Sequence, residues 1–237
     1  MEGGPNTRTT VPSPSLTTIT AFSSSILRWF EQNRRNFSWR DHTDVYFVIV
    51  AEILLRKTDA KKVTPVYREL VRRYPSFEAL ARADHRILTK MMVPLGIYRT
   101  RPRQLKRIAK IFVEKFHGNL PDDPEVLLSS MRGLGVGRYV VNAVYCLSIG
   151  RDLPMLDSNS IRILQRVFGL VSNKKRPRDD PNFWDFLATL IPKGNGRDLN
   201  LGLIDFGATV CTANNPRCTL CPLNSFCVYY ESLKPTR

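Results

Sequence analysis

The sequence lacks several features that would each indicate a particular class of protein. It has no run of 18 or more apolar residues, so no membrane span is predicted. Residues 1–20 lack the apolar core of a signal peptide and are rich in Thr, Ser, Pro and Gly, which indicates a loose tail on an intracellular protein. No alternating apolar and polar run lies between hairpin turns, and no internal repeat or glycine–serine linker occurs.

Acidic residues are scarce relative to basic ones. The 21 Asp and Glu face 36 Lys and Arg, which gives a formal charge of +15 and a pI near 10.0. This excess favours a polyanionic partner, nucleic acid first and an anionic membrane surface second, although charge alone also fits a soluble basic protein. The 237 residues are enough for one large domain or two small lobes with a substantial core.

Helical periodicity dominates the chain from residue 21 onward. Val45–Lys57 is strongly apolar, and its length suits a buried helix better than a strand. Thr100–Phe116 has the pattern of a long basic amphipathic helix, and residues 172–181 form a charged loop. The predicted fold class is all-α, with further helices at Ala21–Asn33, Asp59–Tyr74, Ser76–Ala83, Asp84–Met92, Pro124–Met131, Arg138–Ile149, Asn159–Phe168, Asn182–Ile191 and Leu199–Cys211.

Cysteine is sparse, yet four of the five cysteines lie close together with the spacing C-x6-C-x2-C-x5-C: Cys211, Cys218, Cys221 and Cys227. Four thiolates can hold structural zinc or an iron–sulfur cluster. Zinc ribbons pair two C-x2-C knuckles and only one is present, so the spacing favours iron–sulfur over zinc. Disulfides are disfavoured in an intracellular protein. The fifth cysteine, Cys146, lies in an apolar helix and is predicted to be a core residue.

Three stretches of the sequence resemble one family. The cysteine spacing is similar to the [4Fe–4S] loop of the endonuclease III and adenine glycosylase branches of the helix–hairpin–helix DNA glycosylases. LGVGRYVVNAVYCLSIGRDLPMLDSN at 134–159 resembles the hairpin, following helix and catalytic aspartate of that superfamily. SWRDHTDVYFVIVAEILLRKT at 38–58 resembles an early helix of its mismatch branch. The resemblance extends from Leu27 to Tyr229 and is strongest to the mismatch-specific thymine/uracil glycosylases.

The resemblance implies two helical lobes with DNA in the cleft between them. Residues 41–151 would form a six-helix barrel with the helix–hairpin–helix near 127–149. Residues 21–40 and 152–237 would form the lobe that carries the [4Fe–4S] cluster, with a structural and electrostatic role, on the four clustered cysteines. The expected partner is double-stranded DNA with a mismatched or damaged base, bound by a monomer.

The glycines of GLGVG would let the backbone turn tightly and bring its amides close to a DNA phosphate. Taken alone they indicate only a turn between helices. The family usually has Leu-Pro before Gly-Val-Gly, where this chain has Gly133-Leu134. The resemblance implies DNA contacts at Gly133, Gly135, Val136, Gly137 and Arg138.

The resemblance implies three catalytic residues, Asp157, Tyr139 and Glu52. Asp157 has the sequence context of a helix cap, but it matches the family's catalytic aspartate, which would stabilise positive charge on the sugar. Tyr139 stands where the bifunctional branch has a lysine that forms a Schiff base. Because tyrosine cannot do so, the expected product is an abasic site in an unbroken strand.

The remaining candidates concern base extrusion. Glu52, inside an apolar helix, would line the pocket for the flipped base, or form a salt bridge. Arg56 would fill the gap that the base leaves, beside Lys57. Ile97 would wedge into the opposite strand, with Tyr98 adjacent. The basic run beside the wedge is expected to contact phosphates: Arg99, Arg101, Arg103, Lys106 and Arg107.

The predicted function is therefore a monofunctional glycosylase of base excision repair that releases thymine or uracil opposite guanine. Three alternatives stay open: an adenine glycosylase opposite oxidised guanine, a glycosylase for a modified pyrimidine, and a non-enzymatic iron–sulfur DNA-binding protein. The adenine branch usually carries a further C-terminal domain, whereas this sequence ends ten residues after Cys227, so that alternative is less favoured.

Overall fold

The structure, a computed structural model, describes residues 13–234 of the chain. Regular structure within that range is helical and contains no strand, which confirms the all-α prediction. No helix in the range is both long and apolar enough to cross a membrane. The α-helices are α1 (Leu16–Asn33), α2 (Val45–Leu55), α3 (Ala60–Arg73), α4 (Phe77–Arg82), α5 (His85–Met92), α6 (Arg101–Phe116), α7 (Pro124–Ser130), α8 (Arg138–Ile149), α9 (Ser158–Phe168), α10 (Pro181–Thr189), α11 (Gly196–Thr209) and α12 (Val228–Ser232).

Most of these helices begin at a side chain that accepts hydrogen bonds from first-turn amides. Aspartate suits this position because its charge also complements the positive end of the helix dipole. The capping residues are Ser15, Asp44, Asp59, Ser76, Asp84, Asp123, Asp157 and Asp180. The cap at Ser15 starts α1 earlier than predicted, so residues 16–20 of the expected tail are helical. Residues 1–12 of that tail lie outside the described range.

The chain divides into two compact units. The first unit comprises Met1–Arg35 and Asp152–Arg237, and the second comprises Asn36–Arg151. Residues 36–40 were expected in the cluster lobe. They belong to the second unit because the 3₁₀ helix Ser38–Asp41 packs on α2 and α3, with Trp39 edge-on to Tyr67 at 5.7 Å between ring centroids.

The second unit is built around α2, which packs against α8, α3 and α6. Its residues from Val48 to Leu54 are all buried, which explains why the sequence of this helix has no polar face. Aromatic rings extend the core from its first turn, where Tyr46 meets Phe77 edge-on and Phe77 stacks on Phe112 at 4.2 Å.

The first unit packs α1 and α9 against α11. Gly202 permits a close approach of α1, because a Cβ there would lie 3.0 Å from Ile26 and 3.2 Å from Phe30. Asp205 on α11 is fully buried and accepts a 2.6 Å hydrogen bond from Arg35 Nε. Short elements that were not predicted complete this unit: α12, and the 3₁₀ turns Pro177–Asp179, Cys218–Leu220 and Asn224–Phe226.

Candidate functional site

The glycine-rich turn between α7 and α8 alternates between buried side chains and exposed backbone. Leu134 and Val136 are buried, whereas the three glycines are exposed. Gly133 and Gly135 have φ values of 76° and 66°, in the region that favours glycine. The aliphatic side chains therefore anchor the turn in the second unit while the glycine backbone faces outward.

Gly137 is the N-cap of α8 but supplies no capping side chain. Its backbone is extended, with φ −110°, and a Cβ there would meet no atom within 4 Å. Neither backbone conformation nor crowding inside the unit requires glycine at this position. The bare N-terminus of α8, followed by exposed Arg138, has the charge and amide geometry that suit an anion.

Tyr139 lies half-buried in the first turn of α8, and Cys146 is fully buried further along the helix, which confirms its predicted place in the core. Glu52 is 7% exposed within α2, the helix against which α8 packs. Arg56 follows one turn after Glu52 and ends α2. The next residue, Lys57, is exposed and has a left-handed backbone with φ 60°, which is uncommon outside glycine.

A cavity of about 570 Å³ in the second unit brings together two predicted pairs of DNA-contacting residues. Arg56 and Lys57 line one part of it and Ile97 and Tyr98 another, although about 40 residues separate them in the sequence. Tyr98 is 37% exposed and Ile97 is half-buried. No acidic residue lines the cavity, whose other residues are Gly96, Arg99, Thr100 and Arg101.

Arg101 differs from the other members of the basic run because it is buried. Arg103 and Arg107 are exposed on α6, but Arg101 is only 9% exposed. Helical spacing places it on the same face as buried Leu105, and its guanidinium donates to Arg56 O at 3.1 Å and to Gln104 Oε1 at 2.6 Å. Burial, and secondarily the charge of Arg56, lower the pKa of Arg101. Lys106 of the same run donates to the carbonyl of Ala83.

In the first unit, Asp157 is the N-cap of α9 and part of a capping box with Ser160. Its Oδ1 accepts from the backbone amides of Asn159 and Ser160 at 2.9 and 2.8 Å, and its Oδ2 accepts from Asn159 Nδ2 at 2.7 Å. The extended segment before it is held by buried Asn200, which accepts from the Met155 amide at 2.8 Å. The carboxylate is therefore fixed in orientation, and it is half-buried.

Two arginines one turn apart on α9 bind the segment that follows α11. Arg162 donates to Asn159 Oδ1 at 2.8 Å, to Cys211 O at 2.8 Å and to Gly207 O at 2.7 Å. Arg166 donates to Thr212 O at 2.6 Å and to Ala213 O at 2.9 Å. The helix that presents Asp157 is thus hydrogen-bonded to the start of the cysteine-rich loop.

All four clustered cysteines line one pocket of the first unit, together with Arg166, Leu223, Tyr229 and Tyr230. No three or more His, Cys, Asp or Glu side chains among residues 13–234 converge closely enough to hold a single metal ion. Burial first, and then the charge of the other three cysteines, raises the pKa of the Cys221 thiol to about 11. Burial and the neighbouring thiols also raise the pKa of Cys218 and Cys227. A cationic centre shared by the four sulfurs would stabilise their thiolate forms and offset the repulsion between those negative charges.

Several residues of these sites were not predicted from the sequence. The i, i+4 spacing of Arg162 and Arg166 was a readable signal, because it places both side chains on one face of α9. Gln104 carried no such signal, because the carbonyl to which it donates is distant in sequence. Asn159 carried none either, because its position depends on tertiary packing. Asn159 lies against α11, where a Cβ on Gly207 would be 2.5 Å from the Asn159 Cβ.

Comparisons with known proteins point to one family. The chain is 39% identical to the thymine/uracil-DNA glycosylase of Pyrobaculum aerophilum, over 90% of this chain and 93% of that protein. It is 37% identical to the thymine-DNA glycosylase of Aeropyrum pernix, over 90% of this chain and 96% of that protein. A solved structure of a thermostable thymine-DNA glycosylase superposes with a TM-score of 0.83 at 33% identity, covering 91% of this chain and 98% of the other.

The fold extends to more distant proteins. A trapped endonuclease III–DNA covalent intermediate superposes with a TM-score of 0.78 at 20% identity, over 93% of this chain and 99% of the other. The family model of the HhH-GPD superfamily base excision DNA repair proteins matches residues 50–182, which include the glycine-rich turn and Asp157. These matches confirm the resemblance stated above, and the chain belongs to the HhH-GPD superfamily of base excision DNA repair proteins.

Proposed function

We propose that this protein is a monofunctional DNA glycosylase that releases thymine or uracil mispaired with guanine. The observation that carries the proposal is Tyr139 in the first turn of α8, where a phenol replaces the amine that strand cleavage through a Schiff base requires. The thymine/uracil glycosylases that are 34% to 39% identical to this chain support the same substrate class.

Asp157 is proposed as the catalytic carboxylate. Breaking an N-glycosidic bond develops positive charge on the sugar, and a fixed anion stabilises that charge. The donors from Asn159 and Ser160 hold the carboxylate at the start of α9, so it does not reorient during the reaction. It would also orient the attacking water, whose oxygen bonds to the sugar as the base departs with the bonding electrons.

The second unit is proposed to bind the lesion. Exposed glycine backbone and the N-terminus of α8 would contact a phosphate. Arg56 would occupy the place of the flipped base, with Ile97 entering the opposite strand, and both line the same cavity. Glu52 and Tyr139, on the packed pair α2 and α8, would contact the flipped pyrimidine.

The four cysteines are proposed to hold a [4Fe–4S] cluster. Their donor set fits, because all four cysteines line one pocket and four cysteine sulfurs are the usual ligands of such a cluster. A bound cluster would crosslink the loop, and its iron would offset part of the negative charge of the four thiolates. The arginines of α9 would keep the loop beside the helix that carries Asp157.

The test is base release from duplexes with G·T, G·U and oxidised G·A pairs, with fully paired duplex as the control. Each reaction is split and developed with and without alkali. The proposal expects breaks at T or U opposite G only after alkali, no borohydride trapping, and retained DNA binding but strongly reduced release in Asp157→Asn. Breaks without alkali, or release of adenine alone, would overturn it.

Asparagine is the informative substitution at Asp157 because it caps helices about as well as aspartate does. It removes the charge and leaves the capping geometry available, so loss of activity would not reflect loss of α9. Equal release rates in the two proteins would remove Asp157 from the mechanism.

A further inference from the structure

The second unit contains a chain of hydrogen bonds between two segments that the proposed function assigns to DNA contact. It begins at the Arg56 carbonyl, which accepts from Arg101 Nη2 at 3.1 Å. It continues from Arg101 Nη1 to Gln104 Oε1 at 2.6 Å, and Gln104 Nε2 donates to the Leu134 carbonyl. The loop after α2 and the glycine-rich turn are thus both bound to the first turn of α6.

The environment of Arg101 in this series of hydrogen bonds is unusual for an arginine. Arg101 is buried, yet its hydrogen-bond partners are two neutral oxygens, and its Nε has no partner among residues 13–234. Burying a charge without a carboxylate is costly. An apolar residue at 101 would fill the same face of α6 without that cost, so packing alone does not explain an arginine here.

The turn is shaped to receive these side chains. A Cβ on Gly135 would lie 2.7 Å from Arg56 Nη1 and 3.1 Å from Gln104 Nε2. Glycine at 135 therefore serves both the left-handed φ of 66° and the close approach of two side chains from other elements. The close approach of Arg56 to Gly135 connects Arg56 to the turn directly. The hydrogen bonds of Arg101 and Gln104 form a second connection between the same two segments.

We propose that Arg101 and Gln104 are positioning residues that join the Arg56–Lys57 loop to the glycine-rich turn. DNA would then be bound by one preformed surface. In that surface the glycine-rich turn contacts the DNA backbone, and Arg56 replaces the flipped base. The DNA part of this inference rests on the proposed function. The linkage itself is a property of the free protein and is tested without DNA.

Two variants each break one part of the hydrogen-bond series, and a third serves as the control. Gln104→Glu keeps the oxygen that accepts from Arg101 but removes the donor to Leu134 O. Arg101→Met keeps the apolar stem and removes the guanidinium. Lys110→Met is the matched control, because Lys110 is exposed on the same helix and its loss removes one positive charge without touching either segment.

The first measurement is hydrogen–deuterium exchange of the free proteins. Gln104→Glu is expected to speed exchange in peptides that cover 133–137, and Arg101→Met to speed exchange in peptides that cover 56–58, each by about tenfold for the loss of one hydrogen bond. Lys110→Met should match the wild type in both. Unchanged exchange in the turn of Gln104→Glu, or equal changes in Lys110→Met, would overturn the linkage.

The second measurement follows base extrusion with 2-aminopurine placed beside the mismatched thymine. Gln104→Glu and Arg101→Met should lower the extrusion signal and the single-turnover release rate by about tenfold, with Kd for a fully paired duplex changed less than about twofold. Because the links are in series, the double variant should lose no more than the worse single one. Additive losses, or losses matched by Kd, would contradict the inference. Absence of any base release by the wild type would overturn the proposed function and leave the exchange result to decide the linkage.

Discussion

The glycine-rich turn at 133–137 and the cysteine-rich loop at 211–227 are both irregular segments, but different forces hold them. The turn buries Leu134 and Val136 and is hydrogen-bonded through Gln104. The loop buries only Leu223 and Cys227 among its residues. It is held by arginines that donate to its carbonyls, and burial raises the pKa of its Cys221 thiol.

This difference teaches which segment can fold by itself. Burial of two aliphatic side chains and satisfied hydrogen bonds are enough to order a five-residue turn. A 17-residue loop with almost no buried apolar surface does not offset its conformational entropy in that way. We therefore expect the turn to be ordered in any state of the folded second unit, and the loop to depend on a bound metal centre.

The largest effect is expected from removing that centre. Chelation, or Cys221→Ser, should remove metal-dependent absorbance and open residues 212–226 to proteolysis, since a structural metal contributes about 10 kcal/mol or more to its site. The glycine-rich turn should stay protected. Cys146→Ala is the control, because Cys146 is buried in the other unit and should keep the metal content of the wild type. Proteolysis of both segments on chelation would break the comparison.

A smaller effect is expected from the arginines of the loop. Arg162→Met removes hydrogen bonds to Cys211 O, Gly207 O and Asn159 Oδ1, and should lower the free energy of unfolding by about 2–3 kcal/mol. Arg217→Met is the control, since Arg217 is an exposed cation of the loop itself. Denaturant unfolding of the metal-loaded proteins measures the difference. Equal stability of the two variants would mean that charge, and not these bonds, ties the loop to α9.

Substitution of two glycines tests what holds the glycine-rich turn. Gly135→Ala should destabilise the protein by at least about 1–2 kcal/mol, because alanine is strained at φ 66° and would crowd Arg56. Gly137→Ala should leave the melting temperature unchanged, because its backbone is extended and its Cβ would be in open space. Both should weaken DNA binding. Unchanged affinity in Gly137→Ala would mean that no partner approaches this backbone closely.

The smallest effect concerns Lys57. Glycine relieves the left-handed backbone at φ 60°, so Lys57→Gly should raise the free energy of unfolding by about 1 kcal/mol. Affinity for DNA should fall, because an exposed cation of the cavity is lost. Thermal unfolding and salt-dependent binding measure the two effects. A loss of stability would show that the lysine side chain stabilises this loop by more than its left-handed backbone costs.

The helices were largely predictable because local signals agree with packing. Asp44, Asp59 and Asp123 cap helices that the periodicity had located, and the unbroken apolar pattern of α2 matches its central place. The start of α1 was missed because a composition rich in Thr and Ser outweighed the cap at Ser15. The run after residue 172 concealed a 3₁₀ turn because its many charged residues indicated a loop.

The candidate site could be proposed from the sequence only where a motif carried it. The glycine spacing, the cysteine spacing and the register of Asp157 and Tyr139 are all local in sequence. The burial of Arg101 was missed because a run of basic residues carries no information about which of them faces inward. Gln104 was missed because its partner, Leu134 O, lies 30 residues away.

By itself, the sequence determined the all-α class, the family and the set of four clustered cysteines, because these depend on residue type and short-range spacing. Only the tertiary structure decided that Arg56, Lys57, Ile97 and Tyr98 share one cavity, that Arg101 is buried, and that α9 holds the cysteine-rich loop. The physical reason is that hydrogen bonds and burial are set by which distant segments meet in space, and side-chain chemistry alone does not specify its partner.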